Sequence, residues 1–208
     1  PEAGDPTYTT SGSEIVIDPR TGIASSGSVS VIDLELQEQI KSIEVGLHPG
    51  AMVLSPDKSR LYIACANSDI ISVIDTEKDV VVESISVSME KGLPFGSAPN
   101  ALAISPDGTQ LFVANGTDNA VCVIQLDEKN KITGFIPTGW YPGALSLDKN
   151  AKFLFVANTK GIGSRNMRTD RSAYNTHDHM GSVSIIPLPD KAKLHTLTET
   201  VKENNSYA

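Results

Sequence analysis

The stretch SAPNALAISPDGTQLFVANGTDNAVCVIQ, at residues 97–125, decides the fold because the sequence on both sides repeats it. It contains a proline turn, an apolar run, a Ser-Pro-Asp-Gly turn, a second apolar run ending in Asn, a polar loop and a third apolar run. An upstream copy, LHPGAMVLSPDKSRLYIACANSDIISVID, lies at 47–75, and a downstream copy starts as WYPGALSLDKNAKFLFVAN at 140 and resumes as GSVSIIPL at 181. Self-similarity at this spacing indicates a repeat architecture, here built from strands.

Each repeat divides into four short strands, which we label A to D. In the central copy we predict strands A to D at 101–105, 110–114, 120–125 and 131–137. These runs are rich in Val, Ile and Phe and are bounded by turn residues, as antiparallel strands are. Pro fixes φ at the first corner of a turn, so the Ser-Pro-Asp sequences at Ser55 and Ser105 predict tight A–B hairpins. In the third copy we align Ser146 with these serines, an alignment that keeps the Asp of the motif and loses its Pro.

Four antiparallel strands in a unit of about 40 to 50 residues match a β-propeller blade better than a solenoid. The predicted fold class is all-β, a partial β-propeller of four-stranded antiparallel blades, about three and a half in number, with a short C-terminal helix. The predicted regions are a long loop and partial blade (strands C and D) at 1–46, blades at 47–96, 97–139 and 140–188 with an insertion at 159–180, and a C-terminal helical connector at 189–208.

The two ends of the chain do not supply whole blades. Residues 1–26 are rich in Gly, Ser, Thr and Pro and predict a loop ahead of strands C and D. At the other end, Leu194, Leu197 and Val201 follow Asp190 at helical spacing, so we predict a helix with Asp190 as its N-cap. The blades then hold two, four, four and three strands. A propeller closes by packing its first blade on its last, so we expect the missing blades or a second copy of the chain to complete the ring.

The charge balance narrows the classes of partner. Against 25 Asp and Glu there are 17 Lys and Arg, and the net charge of −8 argues against nucleic acid or an anionic membrane as a partner. No apolar run is long enough to predict a membrane span. Cys65 and Cys122 lie inside apolar strands of different repeats and match no metal-binding spacing, so we expect both to be small buried side chains.

Candidate binding residues lie in the connections between strands. The D–A and B–C connections of a propeller emerge on one face, which would gather His48, Asn100, Trp140 and Tyr141 beside the loop at 1–26 and the insertion. Trp140 is the only Trp of the chain, and aromatic residues are enriched at interaction sites. Packing between blades is the alternative for Trp140 and Tyr141, and we favour it.

The insertion adds charged candidates to that face. The guanidinium groups of its three Arg residues would suit a phosphate or an acidic partner. His177 and His179 alternate in sequence, so on a strand their side chains would face the same way. No third ligand follows at a recognisable spacing, so we predict a solvated loop rather than a metal site. We predict no catalytic residue, because the sequence has no nucleophile elbow, P-loop or Rossmann fingerprint. The residues concerned are Arg165, Arg168, Arg171, His177, Asp178 and His179.

The repeats resemble those of a known family. The runs LYIACANSDIISVID and LFVANGTDNAVCVI are similar to YVTN-type β-propeller repeats, and the likeness extends over 27–188. The joining sequences DPRTGIASSGSVSVID, GLHPG, IPTGWYPG and GSVSIIPLPD resemble a narrower group, in which a YncE-like propeller precedes a phosphoesterase domain of the alkaline-phosphatase type. This resemblance implies a link to phosphoester hydrolysis, with the nucleophile and a divalent metal in a domain outside this chain, and no cofactor within it. It also implies an extracytoplasmic location, periplasmic or extracellular.

The sequence therefore predicts a non-catalytic propeller segment that acts as a scaffold, or as a ligand- or partner-binding module, for a phosphoesterase domain. One alternative is a propeller hydrolase of the lactonase type, and another is a plain interaction module of a cell-envelope protein. Propeller lactonases generally place metal-binding carboxylates or His on loops from several blades. This sequence has Pro, Ala, Asn and Gly at the equivalent loop positions.

Overall fold

A computed structural model describes residues 6–10, 13–17, 19, 24–90, 96–161 and 180–206. The described chain is mostly β-structure with a C-terminal helix, as predicted. In chain order the elements are β1 (Thr7–Thr10), β2 (Ser13–Val16), β3 (Gly27–Asp33), β4 (Glu38–Val45), β5 (Pro49–Leu54), β6 (Arg60–Cys65), β7 (Ile70–Asp75), β8 (Val80–Ser86), β9 (Pro99–Ile104), β10 (Gln110–Asn115), β11 (Ala120–Gln125), β12 (Lys131–Pro137), β13 (Pro142–Leu147), β14 (Phe153–Asn158), β15 (Ser182–Pro187) and α1 (Lys191–Asn204).

The strands form antiparallel sheets in which each strand pairs with the next along the chain. We call β3–β4 the partial blade, β5–β8 blade 1, β9–β12 blade 2 and β13–β15 blade 3. Contacts between β3 and β5, β5 and β9, and β9 and β13 show that these four sheets are neighbours in chain order. Four-stranded meanders packed in this order are β-propeller blades, so the predicted fold class is confirmed.

The core lies between the blades. Strands β6 and β7 of blade 1 and β10 and β11 of blade 2 are buried along nearly their whole length, on both faces. Cys65 and Cys122, at the end of β6 and in the middle of β11, are buried and unpaired, as expected. Strand β9 starts at Pro99, two residues before the predicted strand A, because a register shift beside Asn115 lets Pro99 pair with it.

The A–B turns of blades 1 and 2 share one set of hydrogen bonds. In blade 1, Ser55 Oγ donates to Asp57 Oδ1 and accepts from the Arg60 amide at 3.0 Å. Blade 2 repeats both bonds with Ser105, Asp107 and Gln110. The bond from Ser55 is the main reason that the pKa of Asp57 is lowered to about 2. These carboxylates are turn-forming groups, as the sequence predicts.

The third copy corrects the predicted alignment of its turn. Asp148, rather than Ser146, occupies the position of Ser55 and Ser105, because its amide donates to the Phe153 carbonyl and its Oδ1 accepts from the Phe153 amide. A carboxylate oxygen thus replaces the serine hydroxyl as acceptor. The turn is therefore kept two residues later than the sequence motif indicated.

The N-terminal region also differs from the prediction. Residues 1–26 were expected to form a loop, but β1 and β2 pair as an antiparallel hairpin in which Thr7 lies opposite Val16. A further bridge joins Ile17 to Ala24. The hairpin forms because these segments contain Thr, Tyr, Ile and Val, which favour strands, although turn-forming residues surround them.

Large apolar side chains are exposed at both ends of the row of blades. Ile32 and Ile40 are exposed on the partial blade, and Val183 and Ile185 on β15 of blade 3. In blade 3 the burial of β14 alternates, whereas the matching strand β10 of blade 2 is buried throughout. Over the ranges that the structure describes, no helix has the length and apolar character needed to span a bilayer.

Helix α1 packs against β12, the outer strand of blade 2. Asp190 is its N-cap, as predicted, and accepts a hydrogen bond from the Lys193 amide at 2.8 Å. Leu194 and Val201 are buried against the blade. The Thr198 hydroxyl accepts from the Phe135 amide at 2.8 Å, which satisfies a backbone donor that an outer strand would otherwise expose.

The close approach of α1 requires Gly134. A Cβ atom added there would lie 2.6 Å from Thr198 Oγ1 and 2.7 Å from Leu194 Cγ, so a side chain would overlap the helix. Gly50 on β5 provides a contrast, since a Cβ added there meets no atom within 4 Å. The position of the helix is therefore set by one residue of the strand beneath it.

We expect Gly134→Ala to lower the free energy of unfolding by about 1–3 kcal/mol, the usual cost of overpacking a close contact. Urea unfolding followed by helical circular dichroism measures this change. Gly50→Ala is the matched control and should leave stability unchanged or slightly raised. Equal effects of the two substitutions would contradict the account of α1 packing.

Candidate ligand-binding face

Paired backbone hydrogen bonds join each D–A connection to the B–C turn of the blade that it enters. They place the two kinds of connection on the same face of the blades, as the sequence predicts. The bonds run from Ala66 N to His48 O (3.1 Å) and Asn67 N to Leu47 O (3.2 Å) in blade 1, from Gly116 N to Ala98 O (3.1 Å) and Thr117 N to Ser97 O (3.3 Å) in blade 2, and from Thr159 N to Tyr141 O (2.9 Å) and Lys160 N to Trp140 O (3.0 Å) in blade 3.

The residue before each strand-A proline has a left-handed backbone. His48, Ala98 and Tyr141 have φ values of 55°, 49° and 59°. Residues with a Cβ atom disfavour this region, so the paired hydrogen bonds must compensate for a conformational cost. His48 and Tyr141 thus occupy equivalent positions of their blades.

The last residue of a B–C turn ties one blade to the next. In blade 1 this residue is Asp69, which is 3 % exposed. One of its carboxylate oxygens accepts from the Ala98 amide at 2.9 Å, and the other accepts from the Gly96 amide. In blade 2 the same position is Asn119, whose Oδ1 accepts from the Tyr141 amide at 2.9 Å. Both side chains therefore join blades.

A second buried carboxylate, Asp118, lies in the B–C turn of blade 2 and is 6 % exposed. Its Oδ2 accepts from Asn115 Nδ2 at 2.9 Å, and Asn115 also donates to the Val87 carbonyl of blade 1. Burial raises the pKa of Asp118 above its ordinary value of 3.8. Hydrogen bonds from Ser97 and Asn115 act in the opposite direction, and the nearby Asp69 carboxylate adds to the increase.

The structure brings three of the predicted binding residues together. Asn100 and Tyr141 lie against the same backbone position, because a Cβ added to Gly116 would be 2.5 Å from Asn100 Nδ2 and 3.0 Å from Tyr141 Cζ. Lys160 links Tyr141 to Trp140, since its Nζ lies 5.4 Å and 5.2 Å from the two ring centroids. These distances are typical of cation–π contacts.

His48 is not part of this group. Within the described part of the chain, no side-chain hydrogen bond or ring contact links His48 to Asn100, Trp140 or Tyr141, and it lies at the start of blade 1. Arg165, Arg168, His177 and His179, with Arg171 and Asp178, fall in 162–179, outside the described residues. Their role in binding stays a prediction.

A cavity of about 390 Å³ opens beside Trp140, between the D–A connection of blade 3 and the C-terminal end of α1. Its size is that of a small-molecule pocket. Amide, hydroxyl and aromatic groups dominate its wall. The lining residues are Asp118, Asn119, Thr138, Gly139, Trp140, Gly161, Val201, Asn204 and Asn205.

Sequence reasoning missed Lys160, Asn119 and Asp118 as members of this face. One signal was present, because the last position of the B–C turn holds Asp69 in one repeat and Asn119 in the next. The contact of Lys160 with two aromatic rings and the approach of α1 involve distant segments and left no local signal. In the residues described, no group of three or more His, Cys, Asp and Glu is arranged to hold a metal ion.

We expect Asp69→Ala to lower the free energy of unfolding by about 1–3 kcal/mol, because the Gly96 and Ala98 amides, whose bonds to Asp69 are partly buried, lose their acceptor. Hydrogen exchange should speed up at Gly96 and Ala98, the residues that donate to Asp69. Asp127→Ala is the control, since Asp127 is exposed and accepts a local bond from the Lys129 amide, and it should cost less than about 1 kcal/mol. Unchanged exchange at Gly96 and Ala98 would contradict the proposed tie between blades.

The raised pKa of Asp118 predicts a pH dependence of stability. Above pH 3.8 the folded chain keeps a proton that the unfolded chain releases, so the contribution of Asp118 to stability falls as pH rises towards its folded pKa. Asp118→Asn should therefore gain stability relative to the native chain as pH rises from 3.8. Denaturant unfolding between about pH 3 and pH 7 measures the difference.

Asp107→Asn provides a control of opposite sign. The hydrogen bond from Ser105 is the main reason that the pKa of Asp107 is lowered, so its stabilising contribution is lost as pH falls below 3.8. The free energy of unfolding of the native chain should then increase relative to that of Asp107→Asn as pH rises. A flat difference for Asp118→Asn across the range would show that burial does not raise its pKa.

Comparison with solved structures supports the propeller fold. Hydrazine synthase from Kuenenia stuttgartiensis matches with a TM-score of 0.59 and 26 % identity, covering 77 % of this chain and 40 % of that one. A protein of Bacteroides uniformis, described as a candidate 6-phosphogluconolactonase, gives 0.54 and 15 %, covering 84 % and 48 %. A Lactobacillus plantarum protein gives 0.53 and 21 %, covering 74 % and 47 %. The chain thus spans less than half the length of these proteins.

Comparison with family models gives a more specific result, although no curated protein matches the chain. The family described as "Lactonase, 7-bladed beta-propeller" matches residues 34–172. The match runs from the turn of the partial blade through blades 1 and 2 and into the insertion of blade 3, and it covers well over half of the 208 residues. The chain therefore belongs to the lactonase family of seven-bladed β-propellers.

Proposed function

We propose that this chain is a non-catalytic propeller segment that binds a ligand or partner on the face formed by its D–A and B–C connections. The main support is that the buried carboxylates on that face are already hydrogen-bonded within the chain. Both oxygens of Asp69 accept backbone amides, and Asp118 accepts from Ser97 and Asn115. A carboxylate engaged in this way stabilises the joint between blades and is poorly placed to act as a base on a substrate.

The same face offers groups suited to binding. The Lys160 ammonium lies over the rings of Trp140 and Tyr141, and Trp140 is 44 % exposed. The cavity next to Trp140 is lined mainly by neutral polar side chains. Loops that a rigid sheet framework holds in place are common positions for recognition.

The proposed partner is a phosphoesterase domain of the alkaline-phosphatase type, outside this chain, which would carry the nucleophile and its divalent metal. Support for this part comes from the joining sequences, which resemble those of YncE-like propellers that precede such a domain. An extracytoplasmic location belongs to the same proposal. Completion of the ring by further blades, or by a second copy, is supported by the exposed Ile32, Ile40, Val183 and Ile185.

Hydrolysis of a lactone is the second candidate function. The match to the lactonase family over 34–172 favours it, as does the likeness to the Bacteroides uniformis protein. On this alternative, the same face would hold the substrate and Asp118 would be the carboxylate nearest the cavity.

An assay of the purified chain separates these functions. We expect no turnover of bis-p-nitrophenyl phosphate, p-nitrophenyl phosphate or δ-gluconolactone above the uncatalysed rate, with or without added Mg²⁺ or Zn²⁺, because the acidic groups of this face join blades. Lactone turnover that co-elutes with the chain and is lost in Asp118→Asn would replace the binding role by the second candidate. Turnover of either phosphate ester that co-elutes with the chain would overturn the placement of catalysis in another domain.

A further inference from the structure

The cavity beside the C-terminal end of α1 points to a particular class of ligand. We infer that it binds an uncharged saccharide, an inference that rests on the proposed binding role of this face. The cavity lies partly against α1, which begins at Lys191 and so follows the family match at 34–172. Part of its wall therefore lies outside the matched region.

Trp140 supplies an aromatic wall. The indole ring borders the cavity and is 44 % exposed, and Lys160 Nζ lies 5.2 Å from its centroid. The C–H groups of a sugar ring carry a small positive charge and pack well on the negative face of an aromatic ring. The ring face opposite Lys160 is thus a suitable surface for the flat side of a sugar.

Two amides present one donor and one acceptor in fixed orientation. Asn119 Oδ1 accepts from the Tyr141 amide, which leaves its Nδ2 as the group that can donate to a ligand. Asn205 Nδ2 donates to the carbonyls of Asp118 and Val201 at 3.0 and 2.9 Å, which leaves its Oδ1 as an acceptor. Both orientations are set by backbone groups, so the pair is ready before a ligand arrives.

Asn204 and Thr138 extend this neutral polar wall. Among described residues no hydrogen bond engages the Asn204 amide, while the Thr138 hydroxyl donates to the Gly139 carbonyl and keeps lone pairs to accept with. A sugar hydroxyl both donates and accepts, and neighbouring hydroxyls on a ring repeat that pair of roles. The wall therefore matches a polyhydroxylated ring.

The charges that the described residues place around the cavity disfavour an anion. The C-terminal end of α1, which carries partial negative charge, borders the cavity, and Asp118 is a carboxylate in the wall. The Lys160 ammonium lies over Trp140 and offsets part of this charge. A phosphate or carboxylate ligand would meet repulsion here, whereas an uncharged ligand would not.

Intrinsic fluorescence tests the inference directly, because Trp140 is the only Trp of the chain. The chain is titrated with maltotriose, cellotriose and triacetylchitotriose, and with glucose 6-phosphate and spermidine as charged probes. We expect at least one neutral trisaccharide to change the Trp140 emission, with a Kd in the millimolar range or below, which calorimetry should reproduce. Asn204→Ala should weaken this binding about fivefold, the effect of losing one or two neutral hydrogen bonds.

Asn150→Ala is the matched control, because Asn150 is exposed in the A–B turn of blade 3, away from the cavity. It should bind as the native chain does. No response to any of the three trisaccharides would overturn the inference, as would tighter binding of either charged probe, or equal weakening by the two Asn variants. Lactone turnover would instead overturn the proposed function, so the two failures are distinguishable.

Discussion

Burial of the middle strands on both faces is the constraint on which this structure depends. In blades 1 and 2, strands β6, β7, β10 and β11 carry apolar side chains on each side of the sheet, so each sheet has to lie between two other layers. A meander of four short strands meets this requirement when its neighbours are copies of itself. The row of blades follows from that requirement, and so does the exposed apolar surface at the ends of the row.

The same packing explains why the loop-bearing face is rich in polar groups that are already engaged. Neighbouring blades have to be fixed relative to each other, and the B–C turns achieve this with Asp69 and Asn119. The carboxylate and amide side chains of these turns thus become parts of the framework. The cavity lies further out, beside Trp140 and the end of α1.

Much of the fold could be predicted from local sequence. Strands C and D of the central repeat, the Asp190 cap and the buried Cys65 and Cys122 follow from periodicity, turn residues and composition. The turn at Asp148 lies two residues later than the motif indicates, since a carboxylate can replace a serine hydroxyl as acceptor and local sequence does not distinguish them. The β1–β2 hairpin, the docking of α1 on β12 and the contact of Lys160 with two rings depend on pairings between segments, which local patterns do not encode.

Gly134 distinguishes the outer strand of blade 2 from the outer strands of the two sheets before it. Just before the register shift of each outer strand, Gly134 of blade 2 corresponds to Glu83 of blade 1 and Lys41 of the partial blade. The outer strands of these three sheets are otherwise similar surfaces for the apolar side of α1. On blade 1 and the partial blade, however, Glu83 and Lys41 place a charged side chain where the helix packs on Gly134. The lack of a side chain at this one position therefore favours packing of α1 on blade 2 over packing on blade 1 or the partial blade.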